Sequence, residues 1–317
     1  MIAETTRRVL QHLLLDWFTR VGRDLPWRRT RDPYQVLVAE MMLQQTQVDR
    51  VLPKYAAFLA TFPSLNALAA APPADVIRLW AGLGYNRRAV NLQRTARAIV
   101  SDYNGQFPHD VVTLQRLPGI GPYTAGAIAC FAFEQDVAFM DTNIRRAIRR
   151  LLLGSDEHVV ASERELLTLA AELLPLGQGW AWNQALMELG ATICTARNPA
   201  CQRCPLRTDC CAYTARRTAD EHLFTGAITY VSPAQPRRRV AEKRVEPFVG
   251  STRFYRGRVI EALRNHPPDT VLPLAQLGSY VKEHYTADDL PWLTTLIAGL
   301  THDGLVETSA EGVRLPN

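Results

Sequence analysis

The sequence lacks long apolar runs, internal repeats and low-complexity tracts. None of its 317 residues falls in an apolar run near the roughly 18 residues that a membrane-spanning helix needs. No stretch resembles a cleaved signal peptide, so we expect a cytoplasmic protein with no membrane partner. Alternating strand patterns are scarce, whereas hydrophobic residues make up 47% of the chain, which excludes global disorder and favours an all-α body.

Cysteine is rare outside one short stretch. Five of the six cysteines lie within residues 194–211. In a reducing compartment such a cluster indicates a metal site rather than disulfides. Four of them follow the spacing C-x6-C-x2-C-x5-C, and they are Cys194, Cys201, Cys204 and Cys210. Four thiolates can bind zinc or an iron–sulfur cluster, and the single x2 pair is unlike the two close pairs of most zinc sites. Zinc and free thiols stay open alternatives.

The remaining cysteines and the charge are less informative. We expect Cys130 to be a core residue, because its helix is apolar, and Cys211 to be a bystander of the cluster. The net charge of +5 is a weak indication of a polyanionic partner. Basic residues are concentrated in residues 237–258, which would serve either as a solvated linker or as a grip on DNA phosphates.

The chain divides into three parts by composition. Residues 1–215 show helical periodicity, 216–251 form a basic linker, and 252–317 predict three helices with a terminal hairpin near Gly312, a winged-helix-like domain. That last domain is acidic after Arg258, so its binding to DNA stays an open question. The expected helices of the first part include 36–43, 74–82, 88–102, 124–133, 144–153, 162–174 and 182–194.

A glycine-rich turn, Leu117-Pro118-Gly119-Ile120-Gly121, directly precedes a helical stretch. Glycine permits positive φ and a close approach of the backbone to a ligand. Outward amides at the start of the next helix, from residues such as Thr124, would bind phosphate without reading base sequence. A plain connection between two helices would accept the same glycines.

Two carboxylates elsewhere in the chain, Asp141 and Glu40, each have an ordinary structural explanation. Asp141 precedes a helical stretch, where an ordinary N-cap would account for it. Glu40 lies among apolar residues, and by itself it would be a surface glutamate on an apolar helix. Two carboxylates of opposite protonation state are what glycosidic bond cleavage uses.

Together, the turn, Asp141 and the cysteine loop resemble the helix-hairpin-helix DNA glycosylases of the endonuclease III superfamily. Residues 24–28, 40–48, 80–85 and 183–190 resemble the adenine DNA glycosylase branch, and the likeness covers about residues 10–212. The resemblance implies a two-lobed, all-α glycosylase with a [4Fe–4S] loop. It also implies a monomer that acts in the nucleoid on double-stranded DNA with a mismatched or damaged base.

The resemblance also implies residue roles. Glu40 matches the acid that protonates adenine, Asp141 the carboxylate that stabilises the sugar cation, and Asn143 the amide that orients it. The base pocket would contain Trp27, Arg28 and Gln184. The DNA contacts would come from a wedge residue, a second intercalator and their neighbours, namely Gln45, Leu83, Thr46, Tyr85, Gly119, Gly121 and Thr124.

Tyr123 stands where endonuclease III carries its lysine nucleophile. A lysine amine can form a Schiff base with the abasic sugar and cleave the strand, and a tyrosine cannot. We therefore predict a monofunctional glycosylase, with Tyr123 at a catalytic position.

The residues define the reaction more closely than the substrate pair, because the chain departs from the pattern of the branch. It has no Phe-Ser-His motif, the mark of the usual 8-oxoguanine-recognition domain, and Thr142 stands where glycine is common. The hypothesis is removal of adenine opposite guanine or 8-oxoguanine. The alternatives are a thymine, uracil or hypoxanthine mismatch glycosylase, a non-catalytic DNA-binding regulator with an iron–sulfur cluster, and a zinc-binding interaction module.

Overall fold

The structure, a computed structural model, describes residues 2–154, 161–217 and 247–317. Most of the expected linker, with the arginines at 237–239, lies outside the described residues. The helices are α1 Glu4–Val21, α2 Pro33–Leu43, α3 Val48–Thr61, α4 Leu65–Ala70, α5 Pro73–Leu79, α6 Arg87–Asp102, α7 Val111–Leu114, α8 Pro122–Phe131, α9 Thr142–Leu152, α10 Glu163–Leu173, α11 Gly179–Thr192, α12 211–217, α13 Thr252–Arg264, α14 Leu274–Val281 and α15 Leu290–His302. Strands β1 Glu307–Thr308 and β2 Val313–Arg314 pair antiparallel.

The described chain forms two compact units. Unit 1 contains residues 2–33, 109–112, 121–154 and 161–217, and unit 2 contains 34–108, 113–120 and 247–317. The division agrees with the two-lobed, all-α fold that the sequence predicts. No helix in the described ranges is long and apolar enough to cross a membrane.

Small residues let the helices of unit 1 pack closely. All of α8 from Thr124 to Phe131 is buried, and α9 packs against α11. A Cβ added to Gly190 of α11 would lie 2.5 Å from the Cβ of Asn143 on α9. Real Cβ contacts are longer, so glycine allows the approach that brings these two helices together. Cys130 is completely buried in α8, as predicted.

Unit 2 is built around α2, which is buried over nearly its whole length. An apolar helix that is buried all round belongs in a core rather than at a surface. The C-terminal helices α13 to α15 and the hairpin share one apolar cluster with α5 and α6, through residues such as Ile77, Val90 and Leu263. Polar bonds join the same parts, since the Arg264 guanidinium donates to the Ile77 carbonyl at 2.6 Å.

Most of the predicted helices begin earlier than their apolar periodicity indicates, whereas α10 begins one residue later, at Glu163. Prolines open α2, α5 and α8 at Pro33, Pro73 and Pro122, positions where a missing N–H costs nothing. Helix α5 stops at Leu79, three residues short of the expected end. The hairpin and the three C-terminal helices occur in the expected order. Their assignment as a separate winged-helix-like domain stays a prediction, as do the three domain boundaries.

Candidate active site

Asp141 begins α9 as its N-cap, and its two oxygens have separate partners. One oxygen accepts from the Ile144 amide at 2.6 Å, and the other accepts from the Asn143 side-chain amide at 3.0 Å. The cap alone would be a structural role. The second bond fixes the carboxylate plane, and a carboxylate of fixed orientation can stabilise a positive charge that develops beside it.

Asn143 is itself held by an arginine. Its carbonyl oxygen accepts from Arg146 at 2.7 Å, and the same guanidinium donates to the carbonyls of Gly190 and Cys194, both at 2.6 Å. A chain of hydrogen bonds therefore runs from the cysteine loop to Asp141. Arg146 was not expected from the sequence, although its spacing of three from Asn143 on one helix placed it on the same face.

Two residues of the predicted base pocket, Arg28 and Gln184, contact each other in unit 1. The Arg28 Nε donates to the Gln184 side-chain oxygen at 2.7 Å. Trp27 is 6% exposed in the short helix Pro26–Arg28. The Arg28 guanidinium also donates to the Glu188 carboxylate at 2.8 Å, and Arg23 donates to the same carboxylate at 2.7 Å.

Glu188 is the residue that sequence reasoning missed here. It is 1% exposed, and it follows Gln184 by one helical turn on α11, which is the signal that would have found it. Burial acts to raise the pKa of Glu188, but the hydrogen bonds from Arg23 and Arg28 outweigh it and hold the pKa below its ordinary value. Glu188 therefore stays an anion that orients Arg28.

Tyr123 lies in the first turn of α8 and is half-buried. Its ring packs edge-on against Phe139, with centroids 5.6 Å apart. Thr124 beside it is 3% exposed, so its side chain does not reach the surface in this structure. Any contact of Thr124 with DNA would come from its backbone or after a movement.

The two glycines of the turn differ in their backbone. Gly119 has φ of +75°, and an added Cβ would lie 2.6 Å from the Cβ of Asn91. Gly121 is the extended N-cap of α8, with φ of −89° and open space around it. The expectation of positive φ is therefore right for Gly119 and wrong for Gly121, where the backbone only needs to be reachable.

Glu40 lies in α2 and belongs to unit 2. Its side chain is buried, with 3% exposure, and its neighbours on the helix from Val36 to Met42 are buried as well. The surface position that an isolated glutamate would take is thus excluded. A shielded carboxyl is the setting that proton donation near neutral pH requires.

Four of the predicted DNA contacts line one cavity of unit 2, with a volume of about 760 Å³. They are Gln45, Thr46, Leu83 and Tyr85. Gln45 is exposed, with φ of +56°, as suits a wedge at a loop tip. Tyr85 is 44% exposed, but Leu83 is only 5% exposed, so it could intercalate only after a movement.

Arg88 organises these loops, a role that the sequence analysis did not predict. It is 7% exposed, and burial lowers its pKa to about 10. It makes six hydrogen bonds of 2.6 to 3.1 Å with neutral oxygens, namely the carbonyls of Met41, Met42, Gln44, Leu83 and Gly84 and the hydroxyl of Thr46. The Arg88 guanidinium therefore connects the C-terminal end of α2 with the loops at 44–47 and 82–86, which carry the predicted DNA contacts.

The four cysteines of the C-x6-C-x2-C-x5-C pattern line one pocket beside Arg150. Across the described ranges, no three His, Cys, Asp or Glu side chains are placed to hold a single metal ion. The Leu206 amide donates to the Cys204 sulfur, and amides of Ala212 and Tyr213 donate to Cys210. Amide bonds of this kind stabilise thiolates that are bound to iron.

The buried thiols of the cysteine loop need a nearby cation in order to ionise together. Burial raises the pKa of Cys204 to about 12, and the neighbouring thiols add to the rise. Burial also raises the pKa of Cys210. Several thiolates at one place therefore need positive charge between them, which the iron ions of a cluster supply. Cys211 is exposed and lies outside this pocket's lining, as expected of a bystander.

Comparison with known proteins agrees with this geometry. Residues 38–172 match the HhH-GPD superfamily of base excision DNA repair proteins, and residues 194–210 match the iron-sulfur binding domain of endonuclease III. The chain is 40% identical to the adenine DNA glycosylase of Mycolicibacterium smegmatis over 94% of this chain and 93% of that one. The chain belongs to the adenine DNA glycosylase family.

Other relatives place the family membership in context. The adenine DNA glycosylase of Mycobacterium tuberculosis is 41% identical over 81% of this chain and 79% of its own. The structure of a thermostable thymine-DNA glycosylase aligns with a TM-score of 0.62 and 32% identity, covering 67% of this chain and 98% of that one. An endonuclease III–DNA complex, at 22% identity and a TM-score of 0.59, shares the fold.

Membership in the adenine DNA glycosylase family settles the class of the protein. It is a DNA N-glycosylase with a [4Fe–4S] cofactor, and its substrate is DNA. The alignment with the Mycolicibacterium relative covers 94% of this chain. It therefore includes most of residues 252–317.

Proposed function

We propose that the protein is a monofunctional glycosylase that removes adenine opposite guanine or 8-oxoguanine, by hydrolysis of the bond between adenine and its sugar. The observation that carries the proposal is the fixed Asp141 carboxylate, which both Asn143 and the Ile144 amide hold. The name shared by the curated relatives supports adenine as the base.

The reaction divides between two carboxyl groups. Glu40 donates a proton to adenine, so that the base leaves as a neutral molecule with the electrons of the C1′–N bond. Asp141 stabilises the cationic sugar that remains. Water then adds to C1′ and loses a proton to the Glu40 carboxylate, which gives an abasic site and restores Glu40. Burial of Glu40 and the two donors to Asp141 support these opposite protonation states.

The remaining candidate residues bind and position the substrate. Trp27, Arg28 and Gln184 line the base pocket, with Glu188 orienting Arg28. Tyr123 supplies no amine, so the enzyme hydrolyses the bond between the base and its sugar without cutting the DNA strand. Extrusion of adenine from the stack needs a filler and backbone contacts. We assign these to Gln45, Thr46, Leu83, Tyr85, Gly119, Gly121 and Thr124.

The cluster has a structural part in this scheme. Cys194, Cys201, Cys204 and Cys210 would hold it, since all four line one pocket. Its charge lets four thiolates share a small volume and so folds the loop that bonds to Arg146 and Arg150. Loop arginines such as Arg203 and Arg207 would contact DNA phosphates. We expect a monomer that works in the nucleoid.

Thymine opposite guanine is a second candidate substrate, because the thymine-DNA glycosylase structure is 32% identical over two thirds of the chain. A thymine pocket would need donors and acceptors for two carbonyls and an N–H. The pocket residues Arg28 and Gln184 do not decide between the two bases.

A duplex panel tests the function. Duplexes with adenine, hypoxanthine, thymine or uracil opposite each base are incubated with the holoenzyme, and base release is scored after alkali. We expect release of adenine opposite guanine or 8-oxoguanine and no strand break without alkali. Release of thymine or uracil alone would replace the proposal with the second candidate, and no release from any duplex would favour the non-catalytic regulator.

Two variants test the residue roles. Glu40→Gln and Asp141→Asn should each lower the single-turnover rate by about 10²- to 10⁴-fold, because they remove the proton donor or the anion. Asp102→Asn changes an exposed carboxylate at the end of α6 and serves as the control. Retention of the cluster's visible absorption shows that a variant is folded. An unchanged rate in a folded Glu40→Gln protein contradicts the mechanism.

A further inference from the structure

The loop between α5 and α6, residues 80–86, carries two of the predicted DNA contacts, Leu83 and Tyr85. Three of its residues have positive φ, at +84° for Gly82, +70° for Gly84 and +46° for Tyr85. A loop with this backbone needs support from the surrounding structure to hold one shape. That support decides where its side chains stand when they meet a duplex.

One arginine from the C-terminal segment, Arg264 of α13, holds both ends of the α5–α6 loop. Its guanidinium donates to the Ile77 carbonyl, from Nε at 2.9 Å and from Nη2 at 2.6 Å. The same Nη2 donates to the side-chain oxygen of Asn86 at 2.9 Å. Ile77 lies in α5 shortly before the loop, and Asn86 directly precedes α6, so the two contacts enclose the loop. All of these residues belong to unit 2.

The two acceptors of Arg264 are available because of their positions on the helices. Ile77 lies in the last turn of α5, where carbonyls have no partner further along the helix. Asn86 is the N-cap of α6, and an N-cap asparagine ordinarily accepts from an amide of the first turn. The Asn86 side chain makes no such bond and accepts from Arg264 instead. Contact with α13 thus replaces the usual local cap.

Arg264 is both buried and charged. Its side chain is 8% exposed, and burial lowers its pKa to about 10, so it stays protonated at neutral pH. The Glu261 carboxylate lies 3.8 Å away on the same helix and is largely exposed, so this ion pair adds little. Burial of a charge is costly unless hydrogen bonds compensate for it. The contribution of Arg264 therefore lies in its bonds to the ends of the loop.

A second buried arginine holds the middle of the same loop. Arg88 donates to the carbonyls of Leu83 and Gly84 at 3.0 and 3.1 Å. Arg88 belongs to the helix that the loop enters, whereas Arg264 stands 178 residues beyond Asn86 in the chain. The apolar cluster shared by α5, α6 and α13 brings Arg264 within reach. The ends of the loop therefore depend on the C-terminal segment, and its middle does not.

We propose that Arg264 is a positioning residue for base extrusion. By holding the two ends of the α5–α6 loop, it sets the position from which Leu83 enters the duplex. The inference rests on the proposed function, because it requires Leu83 to fill space that the extruded adenine leaves. Arg264 itself contacts no DNA in this scheme, so the C-terminal segment contributes to extrusion without reading a base.

Fixed ends explain how a nearly buried side chain acts as a wedge. Leu83 is 5% exposed and has to move outward in order to enter a duplex. Gly82 and Gly84 flank it, and their backbone freedom lets the tip of the loop turn. The ends of the loop stay with α13, so they resist the force that the stacked bases exert on the tip. Without Arg264 the whole loop would yield instead of displacing adenine.

The test compares the same adenine in two settings. In the first, adenine stands opposite guanine in an ordinary duplex. In the second, one mismatched pair on each side unstacks the adenine in advance, so that extrusion needs little help from a wedge. Single-turnover base release is measured on both duplexes with the holoenzyme and its Arg264→Met and Asn86→Ala variants. The ratio of the two rates reports extrusion, because a general loss of folded enzyme cancels from it.

Arg314→Met is the matched control. It removes a half-buried arginine from the same C-terminal segment, but the Arg314 guanidinium bonds to Glu307 on the neighbouring strand. Thermal unfolding shows which variants are folded. If Arg264→Met does not fold, Asn86→Ala and Arg264→Lys decide the question, since lysine keeps the charge without the planar guanidinium.

We expect Arg264→Met to lower the rate on the ordinary duplex, relative to the unstacked one, by about 10- to 100-fold, the range for loss of hydrogen bonds to a charged group. Asn86→Ala releases one end of the loop only, so it should lower the ratio less. Arg264→Lys should fall between the wild type and Arg264→Met. Arg314→Met should leave the ratio unchanged.

An unchanged ratio in the folded variants overturns the inference, and so does an equal loss on both duplexes, which would show that Arg264 only stabilises the fold. A duplex with 2-aminopurine in place of the adenine separates this inference from the proposed function, because its fluorescence rises on unstacking whether or not the base is released. If the wild type releases no adenine but unstacks 2-aminopurine in an Arg264-dependent way, the proposed function fails and this inference stands. If the wild type does not unstack 2-aminopurine, this inference fails.

Discussion

Each unit contains a buried arginine that holds candidate site residues, and the two do so by different means. In unit 1, Arg28 donates to the carboxylate of Glu188. In unit 2, every hydrogen-bond acceptor of Arg88 among the described residues is a neutral oxygen. A carboxylate can be protonated, whereas a carbonyl cannot be titrated in this way. The position of Arg28 is therefore sensitive to acid, and the wedge loops around Arg88 are not.

Removal of Arg88, whose acceptors are all neutral oxygens among the described residues, should have the largest effect on stability. Arg88→Met should lower the free energy of unfolding by about 3 kcal/mol or more, since several buried carbonyls lose their donor. Urea unfolding measures the change. Arg88→Lys keeps the charge but not the planar guanidinium, so its free energy of unfolding should lie between those of the wild type and Arg88→Met. A loss below about 1 kcal/mol for Arg88→Met would show that water replaces the guanidinium easily.

In unit 1, Arg146 also donates only to neutral oxygens among the residues that the structure describes, and through Asn143 it orients Asp141, the candidate catalytic carboxylate. Arg146→Met frees Asn143, so Asp141 loses a fixed orientation. We expect kcat to fall by about 10²-fold with a smaller change in KM, because a misplacement near 1 Å costs that much. Arg145→Met, on the same helix but paired with exposed Glu163, is the control. Equal kcat values for the two variants would contradict the role.

The carboxylate anchor should show the smallest effect at neutral pH and a dependence on acid. Glu188→Gln should destabilise the protein by about 1.5 kcal/mol at pH 7, the lower range for hydrogen bonds to charged groups. The pKa of Glu188 is depressed in the folded state, so its contribution is present above the unfolded pKa, about 4.3, and is lost as pH falls through the folded value.

Unfolding of the wild-type and Glu188→Gln proteins at several pH values checks that sign. The difference between them should be constant from pH 7 to pH 5 and should shrink below about pH 4. A difference that grows on acidification would mean that Glu188 is protonated in the folded protein. The same series on Arg88→Met should show no such change, because its partners do not titrate.

The family resemblance grouped some candidate site residues that the structure brings into contact, although their roles stay predictions. Resemblance assigned Arg28 and Gln184 to one pocket although 156 residues separate them, and their side chains meet at 2.7 Å. It also paired Asp141 with Asn143, which stand two residues apart. These roles depend on a few residues with strict chemistry, so local motifs carry them.

Arg88 could not be predicted in the same way. It follows Arg87 at the start of α6, where two arginines suggest a solvated helix end. Only the phase of the helix, with buried Leu92 and Ala96 four and eight residues later, points it inward. Its acceptors come from two loops whose path the sequence does not specify.

The apolar cluster that joins α5 and α6 to α13–α15 also constrains the order of folding. Ile77 and Val90 pack in one cluster with residues from 259 onward. At 5 to 20 residues per second, a ribosome takes on the order of ten seconds to make the intervening chain. During that interval we expect the apolar face of α5 and α6 to stay uncovered, so the C-terminal segment has to arrive before unit 2 can complete its core.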